Sequence, residues 1–149
     1  MTATHTTRRR ATTPASPAAV LKRAQAAAKR THWEDTLYQQ IAACHLPLPE
    51  RNVYWHPRRR YHSEFAYTDP REMCIIEVDG GIHLPKGGHT TGVGYERDRI
   101  RDCEAILLGY IVVRVTPGMI ERGEAVSYIE RVLRMLWARN GAHGARRAG

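Results

Sequence analysis

The chain has 149 residues, enough for one domain with a hydrophobic core of its own. Lys and Arg number 23 against 15 Asp and Glu, so the net charge is +8 with His neutral, which is typical of proteins that bind polyanions. No apolar run approaches the roughly 18 residues of a membrane span, so we expect no membrane partner.

Residues 1–30 are predicted to form a disordered basic arm that becomes ordered on DNA. Residues 1–17 are mainly Thr, Ala, Pro and Arg and are too polar to pack into a core. The stretch 18–30 is Ala-rich and basic, so it can form a helix, but one with little to bury. The run Arg8–Arg10 is a candidate for contacts with phosphates, and a solvated charged tail is the alternative.

The globular domain is predicted to span residues 31–139 and to begin with an amphipathic helix of about twelve residues. Two prolines in the segment 45–49 end this helix, because proline cannot continue it. A hairpin with strands over residues 51–56 and 60–67 follows, since aromatic and β-branched residues alternate there with polar ones. The apolar stripe of the helix recurs at i, i+4 and i+8 and ends at i+11: Trp33, Leu37, Ile41 and Cys44.

The second half of the domain is predicted to contain two parallel strands joined by a helix with a right-handed crossover. Its elements are a strand over 72–79, a glycine-rich loop over 82–94, a helix over 95–108, a strand over 110–116, a turn or short helix over 117–122, an amphipathic helix over 123–139 and a disordered basic tail over 140–149. The helix over 95–108 is expected to bury Ile100, Cys103, Ile106 and Leu107. The last helix is expected to bury Ala125, Ile129, Val132, Leu133 and Leu136.

This order, α-β-β-β-α-β-α, predicts an α/β fold with a mixed sheet flanked by helices. The three cysteines, Cys44, Cys74 and Cys103, are far apart and form no CxxC motif, so we expect reduced, buried thiols and a cytoplasmic location. The glycine-rich loops lack the Gly-Lys-Ser/Thr of a phosphate-binding loop, and no nucleotide cofactor is expected.

Two carboxylates at the end of the third strand are the most informative feature of the chain. Glu77 and Asp79 occupy positions i and i+2, which point to the same face of a strand, and Glu64 lies on the preceding strand. Like charges placed together cost free energy unless a positive charge holds them, and oxygen ligands favour a hard divalent cation. An acidic metal site in a basic chain points to an enzyme that cuts nucleic acid.

The element order and several motifs together resemble the PD-(D/E)XK nuclease superfamily. The resemblance is closer to its small phage and bacterial members, which look like very-short-patch-repair endonucleases and Holliday junction resolvases. The match covers about residues 33–136. Two departures stand out, since Glu64 replaces the usual Asp and Asp79 replaces the lysine expected two residues after Glu77. The motifs are Leu46–Glu50, Tyr54–Tyr61, Glu64–Tyr67, Glu77–Gly81, Gly87–Gly92, Tyr95–Asp98, Gly109–Tyr110 and Val113–Thr116.

The resemblance implies a restriction-endonuclease-like core and a Mg²⁺-dependent endodeoxyribonuclease, in which Mn²⁺ substitutes for Mg²⁺. Glu64 and Glu77 would hold the metal together with the backbone carbonyl of Val78. Asp79 would be a further ligand or would orient the attacking water. Glu34 is similar to the acid that some superfamily members bring from the first helix; an acid favoured by the helix dipole is the alternative.

The basic residues near the carboxylates are candidates for the role of the missing lysine and for contacts with phosphate: Lys86, His89 and Arg101. His89 would protonate the leaving group or hydrogen-bond the scissile phosphate, with Asp98 orienting it. The alternative for Asp98 and Arg101 is a surface ion pair at i, i+3. Arg58, Arg59 and Arg60 in the hairpin turn are further candidates for DNA contacts, with solvated loop charge as the alternative.

Three functions remain open from the sequence. The leading one is a structure-specific endonuclease of DNA recombination, a four-way-junction resolvase acting as a homodimer on branched or distorted duplex. The second is a nicking endonuclease of mismatch-repair or homing type. The third is a DNA-binding protein on a nuclease fold that has lost catalysis, which the missing lysine favours and the three spaced acids oppose.

Overall fold

The structure, a computed structural model, describes residues 16–80 and 92–146 and is an α/β fold with a four-stranded mixed sheet and flanking helices. The coarse class predicted from the sequence is therefore confirmed. None of the described helices is both long and apolar enough to cross a membrane. The elements are α1 Pro17–Ala43, β1 Glu50–Tyr54, β2 His62–Tyr67, β3 Cys74–Val78, α2 Gly92–Leu107, β4 Ile111–Val115, α3 Pro117–Glu121 and α4 Glu124–Arg146.

The strands are ordered β1-β2-β3-β4 across the sheet. β1 pairs antiparallel with β2, as the hairpin pattern predicted, and β2 pairs antiparallel with β3. β4 pairs parallel with β3, so that Glu77 lies opposite Arg114. The predicted parallel pair is thus confirmed, whereas the handedness of its crossover stays a prediction.

The alternation of side chains along β3 separates two apolar clusters on opposite faces of the sheet. Ile76 and Val78 pack with α1, α3 and α4. Ile75 packs on the other face with Ala105 of α2 and with Trp55. Glu77 therefore projects towards α2, away from the larger cluster. The inward positions predicted for the last helix are confirmed: Ala125, Ile129, Leu133 and Leu136 are buried, and Val132 is partly buried.

Both long terminal helices extend beyond their predicted limits. α1 begins at Pro17, where the Ser16 hydroxyl accepts a hydrogen bond from the Ala19 amide and proline occupies the first helical turn. The helix thus includes residues 17–30, which we expected to be disordered before binding DNA. α4 likewise continues to Arg146, into the expected tail. The domain boundaries themselves stay a prediction.

The predicted inner face of α2 is wrong. Ile100, Cys103, Ile106 and Leu107 are exposed, with Leu107 81% exposed, whereas Ala105 is buried. The reason is electrostatic, because the strand ends beneath α2 carry carboxylates and an arginine instead of apolar side chains. The helix turns its charged residues towards them, and the small Ala105 provides the apolar contact.

The prediction of buried thiols is correct for only one of the three cysteines. Cys74 is buried in β3, and burial raises the pKa of its thiol to about 12. Cys44 and Cys103 are exposed, at the end of α1 and on the outer face of α2. All three are free thiols.

Candidate functional site

The hydrogen-bonded ladder between β2 and β3 ends where the predicted carboxylates lie. The last residue pair in this ladder is Phe65 with Ile76. Beyond it, the Val78 amide donates to the Glu64 carboxylate, with 3.1 Å between the nitrogen and Oε2. A side chain thus replaces a strand partner here, and Glu64 is fixed beside the end of β3.

Glu77 is held by a chain of two buried hydrogen bonds that starts at Trp55. The Trp55 indole donates to the Ser63 hydroxyl at 2.8 Å, and that hydroxyl donates to Glu77 Oε1 at 2.7 Å. An indole N–H can only donate, so the single Ser63 proton is directed at Glu77. All three residues are less than 10% exposed, with values of 7% for Trp55, 1% for Ser63 and 7% for Glu77. The carboxylate is therefore held in one orientation.

Glu64 and Glu77 are neighbouring acids. The pKa of Glu77 is raised to about 7, mainly by burial and also by the charge of Glu64, although Ser63 and Arg101 both act to lower it. The two carboxyl groups are close enough for a hydrogen bond when Glu77 is protonated. Burial, followed by the charge of Glu64, also raises the pKa of Glu34 on α1. Negative charge from three elements is thus concentrated around Glu64.

Arg101 of α2 supplies a positive charge to this group. Its Nη2 atom lies 3.5 Å from Glu77 Oε1, and Nη1 donates to the backbone carbonyl of His62 at 3.4 Å. Arg101 therefore pairs with Glu77 and not with Asp98, the partner expected at i, i+3. Asp98 itself is exposed on α2.

Asp79 faces the same side as Glu77, as predicted, but it has an arginine of its own. Arg114 Nη1 lies 3.4 Å from Asp79 Oδ1, and Arg114 Nη2 donates to Asp102 Oδ1 at 2.6 Å. Arg114 is the one charged residue in the otherwise apolar strand β4. This position could have identified it as a candidate site residue from the sequence. The backbone of Val78, predicted as a ligand, accepts a hydrogen bond from the Gly80 amide at 3.0 Å.

The donor set fits a hard cation in composition but has few ligands. Within the two described ranges, no group of three or more His, Cys, Asp and Glu side chains is arranged to hold a metal ion. Glu64 and Glu77 are the pair of carboxylates closest to that role. A Mg²⁺ or Mn²⁺ ion held there would need water molecules or substrate oxygens to complete its coordination, as Mg²⁺ commonly does.

The arginine turn between β1 and β2 is organised by His56, which the sequence did not single out. His56 Nδ1 accepts hydrogen bonds from the Arg58 and Arg59 amides, each at 3.0 Å. Because Nδ1 accepts, the ring proton is on Nε2, which faces Glu104 Oε2 at 3.4 Å. The Arg58 and Arg59 amides are thus occupied, and the turn presents exposed arginine side chains to a partner.

Arg59 and Arg60 lie over aromatic rings at the surface. The Arg59 guanidinium is 5.8 Å from the Tyr61 ring centroid, and that of Arg60 is 5.5 Å from the Tyr54 ring. Arg58 and Arg59, but not Arg60, border a cleft of about 300 Å³ between the turn and α2. The exposure of these arginines is compatible with both interpretations from the sequence, contacts with DNA phosphates and solvated loop charge. Lys86 and His89, the other predicted basic residues, lie outside the described residues.

No protein-family model, curated protein or solved structure matches this chain. The superfamily therefore stays an expectation from the residues named above.

Proposed function

We propose that the protein is a metal-dependent DNA endonuclease with a PD-(D/E)XK-like core. The observation that carries the proposal is the convergence of Glu64 and Glu77 where the β2–β3 ladder ends. A buried carboxylate beside a second one costs free energy that a structural role does not require. In a chain with a net charge of +8, a cation held by these acids would give the pair a function towards a polyanionic substrate.

Glu64 and Glu77 would hold Mg²⁺ or Mn²⁺ in this proposal. When bound, the metal supplies Lewis-acid chemistry that stabilises charge on the phosphodiester and makes water more acidic. Asp79 would orient the attacking water, and its contact with Arg114 holds it at the end of β3.

Arg101 takes over part of the role of the missing lysine. Arginine stays protonated at physiological pH, so it cannot be a general base. From its position beside Glu77 it can stabilise the negative charge that develops on the phosphate. The base would then be a water molecule oriented by the carboxylates.

The substrate in the leading version is a four-way DNA junction cut by a homodimer in the cytoplasm. The support is the sequence resemblance, together with the exposed Arg58–Arg60 turn for contacts with the backbone. The residues that the structure describes form this one fold and include no separate module for reading bases, which favours recognition of DNA shape. A monomeric nicking enzyme is the second version.

A DNA-binding protein without catalysis is a second candidate function. The specific observation in its favour is that Arg101 and Arg114 already pair with Glu77 and Asp79. Such pairs satisfy the carboxylates without a metal. Under this candidate, neutralising Glu77 would leave DNA binding intact and remove no activity.

The test compares cleavage of a labelled four-way junction with that of a matched linear duplex, in Mg²⁺, Mn²⁺ or EDTA. The proteins are the wild type, Glu77→Gln and the control Glu121→Gln, which changes an exposed carboxylate on α3. Paired nicks in the junction that require Mg²⁺ and Glu77 would support the resolvase. Nicking of the duplex alone would favour the second version, and binding without cleavage under either metal would exclude the enzyme.

A further inference from the structure

The N-terminal half of α1 is an exposed basic helix that packs on no other described element. Residues 20–32 are all exposed, and they include Lys22, Arg23, Lys29 and Arg30 but no Asp or Glu. A helix of this kind gains no stability from burial. It is stabilised instead by the high helix propensity of its alanines and by the cap at its N-terminus. Its surface is available to a partner, and its charge selects an anionic one.

The helix leads towards the strand that carries Glu64. Leu37 of α1 packs in the core with Phe65, which follows Glu64 in β2. Glu34, one turn before Leu37 and one turn after Arg30, therefore lies on the side of α1 next to β2, and the charge of Glu64 helps to raise its pKa. Arg30 forms an ion pair with Glu34, with 3.6 Å between Nε and Oε1. The angle of each residue around the helix axis, relative to Glu34, therefore shows which cations of the exposed segment lie on the same side of α1 as Glu34.

The phase separates the four cations into two pairs. At about 100° per residue, Arg23 and Arg30 lie within about 40° of Glu34 around the helix axis. Lys22 and Lys29 lie more than about 100° away from it. Only the two arginines thus continue the face that carries Glu34.

We propose that Arg23 and Arg30 bind the phosphate backbone of the DNA duplex that leaves the acidic site along α1. This inference rests on the proposed function and adds which side of the site holds the flanking duplex. Arg23 is about 16 Å from Glu34 along the axis, which corresponds to about five base pairs of duplex. The acids would face the cleavage position, and the arginines would hold the phosphates beyond it.

The experiment is a DNA-binding assay that does not depend on cleavage. Binding of the full chain to a labelled linear duplex is measured by fluorescence anisotropy in EDTA over a range of salt concentrations. The variants are Arg23→Gln/Arg30→Gln and the matched control Lys22→Gln/Lys29→Gln, which removes the same charge from the other face of the same helix. Circular dichroism checks that both variants keep the helical content of the wild type.

The arginine pair is expected to reduce the slope of log K against log salt by about 1.8, since each phosphate contact contributes about 0.9. The ratio of the wild-type association constant to that of the arginine variant would then change by about tenfold between roughly 50 and 200 mM salt. The lysine pair should change the slope by much less.

Equal losses from the two pairs would overturn the inference, because net charge alone would then explain binding. Normal binding by the arginine variant, with DNA cleavage intact in the wild type, would overturn it while leaving the proposed function standing. A wild type that neither binds nor cleaves DNA would instead refute the proposed function itself, and the inference with it.

Discussion

Replacing Ser63 with alanine removes the one hydroxyl that joins Trp55 to Glu77. Two hydrogen bonds are lost, one of them to a carboxylate, and the Trp55 indole is left without its partner in a buried position. A hydrogen bond to a charged group contributes about 1.5–3 kcal/mol, and an unsatisfied buried donor costs about 1–3 kcal/mol. Because these terms share one side chain and do not add fully, we expect a loss of about 3 kcal/mol in the free energy of unfolding when Glu77 is ionised.

The loss should depend on pH, because the Ser63 hydroxyl stabilises the charged form of Glu77. Ser63 lowers the pKa of Glu77 against the stronger effect of burial, which raises it to about 7. Removing the hydroxyl therefore raises that pKa further. At pH values well below 7, Glu77 is protonated in both proteins, and we expect the destabilisation to fall to about 2 kcal/mol.

The assay is urea unfolding of the metal-free protein in EDTA on either side of the Glu77 pKa. Trp55→Phe is the matched variant, since it removes the indole donor but leaves the bond from Ser63 to Glu77. Its destabilisation should be nearly the same at both pH values. Equal destabilisation of Ser63→Ala at both pH values, with an unchanged Glu77 titration by NMR, would refute the proposed orientation of the carboxylate.

Three further predictions follow from the same geometry. In the metal-free protein, the raised pKa of Glu77 means that its contribution to stability is highest below about pH 4.5 and falls as pH rises to about 7. Glu77→Gln should therefore raise the melting temperature at pH 8 but not at pH 5. An equal change in melting temperature at both pH values would contradict this prediction. His56→Ala should release the turn that holds Arg58 and weaken DNA binding about as much as loss of that arginine, whereas unchanged binding in an anisotropy titration would separate the turn from DNA. Leu107→Gln should change the free energy of unfolding by less than about 0.5 kcal/mol, because Leu107 is exposed. A loss of stability typical of a core residue would show instead that Leu107 is buried, as the sequence predicted.

The sheet could be predicted because its local pattern and its tertiary environment agree. The apolar run that ends in Glu77 has partners on both faces, so its alternation correctly separates Ile76 from the carboxylate. The last helix has a regular apolar stripe and an apolar partner, and its inward face was correct. In these elements, periodicity alone carries the information.

The inner face of α2 could not be predicted because periodicity assumes an apolar partner. This helix packs over charged strand ends, so Arg101 and Asp102 turn inward where apolar residues were expected. The bonds from Trp55 and Ser63 to Glu77 depend on contacts between strands that spacing does not encode. The start of α1 was missed because its first half buries nothing, so alanine propensity and the Ser16 cap were the only signals.

Titration of the wild-type protein with Mn²⁺ by calorimetry determines whether Glu64 and Glu77 bind a metal ion. We expect one site that is lost in both Glu64→Gln and Glu77→Gln and retained in Glu121→Gln. Binding should release a proton near pH 7, because the pKa of Glu77 is raised to about 7 in the metal-free protein. Absence of binding to the wild type, or binding that survives both substitutions, would contradict the assignment of Glu64 and Glu77 as a metal site.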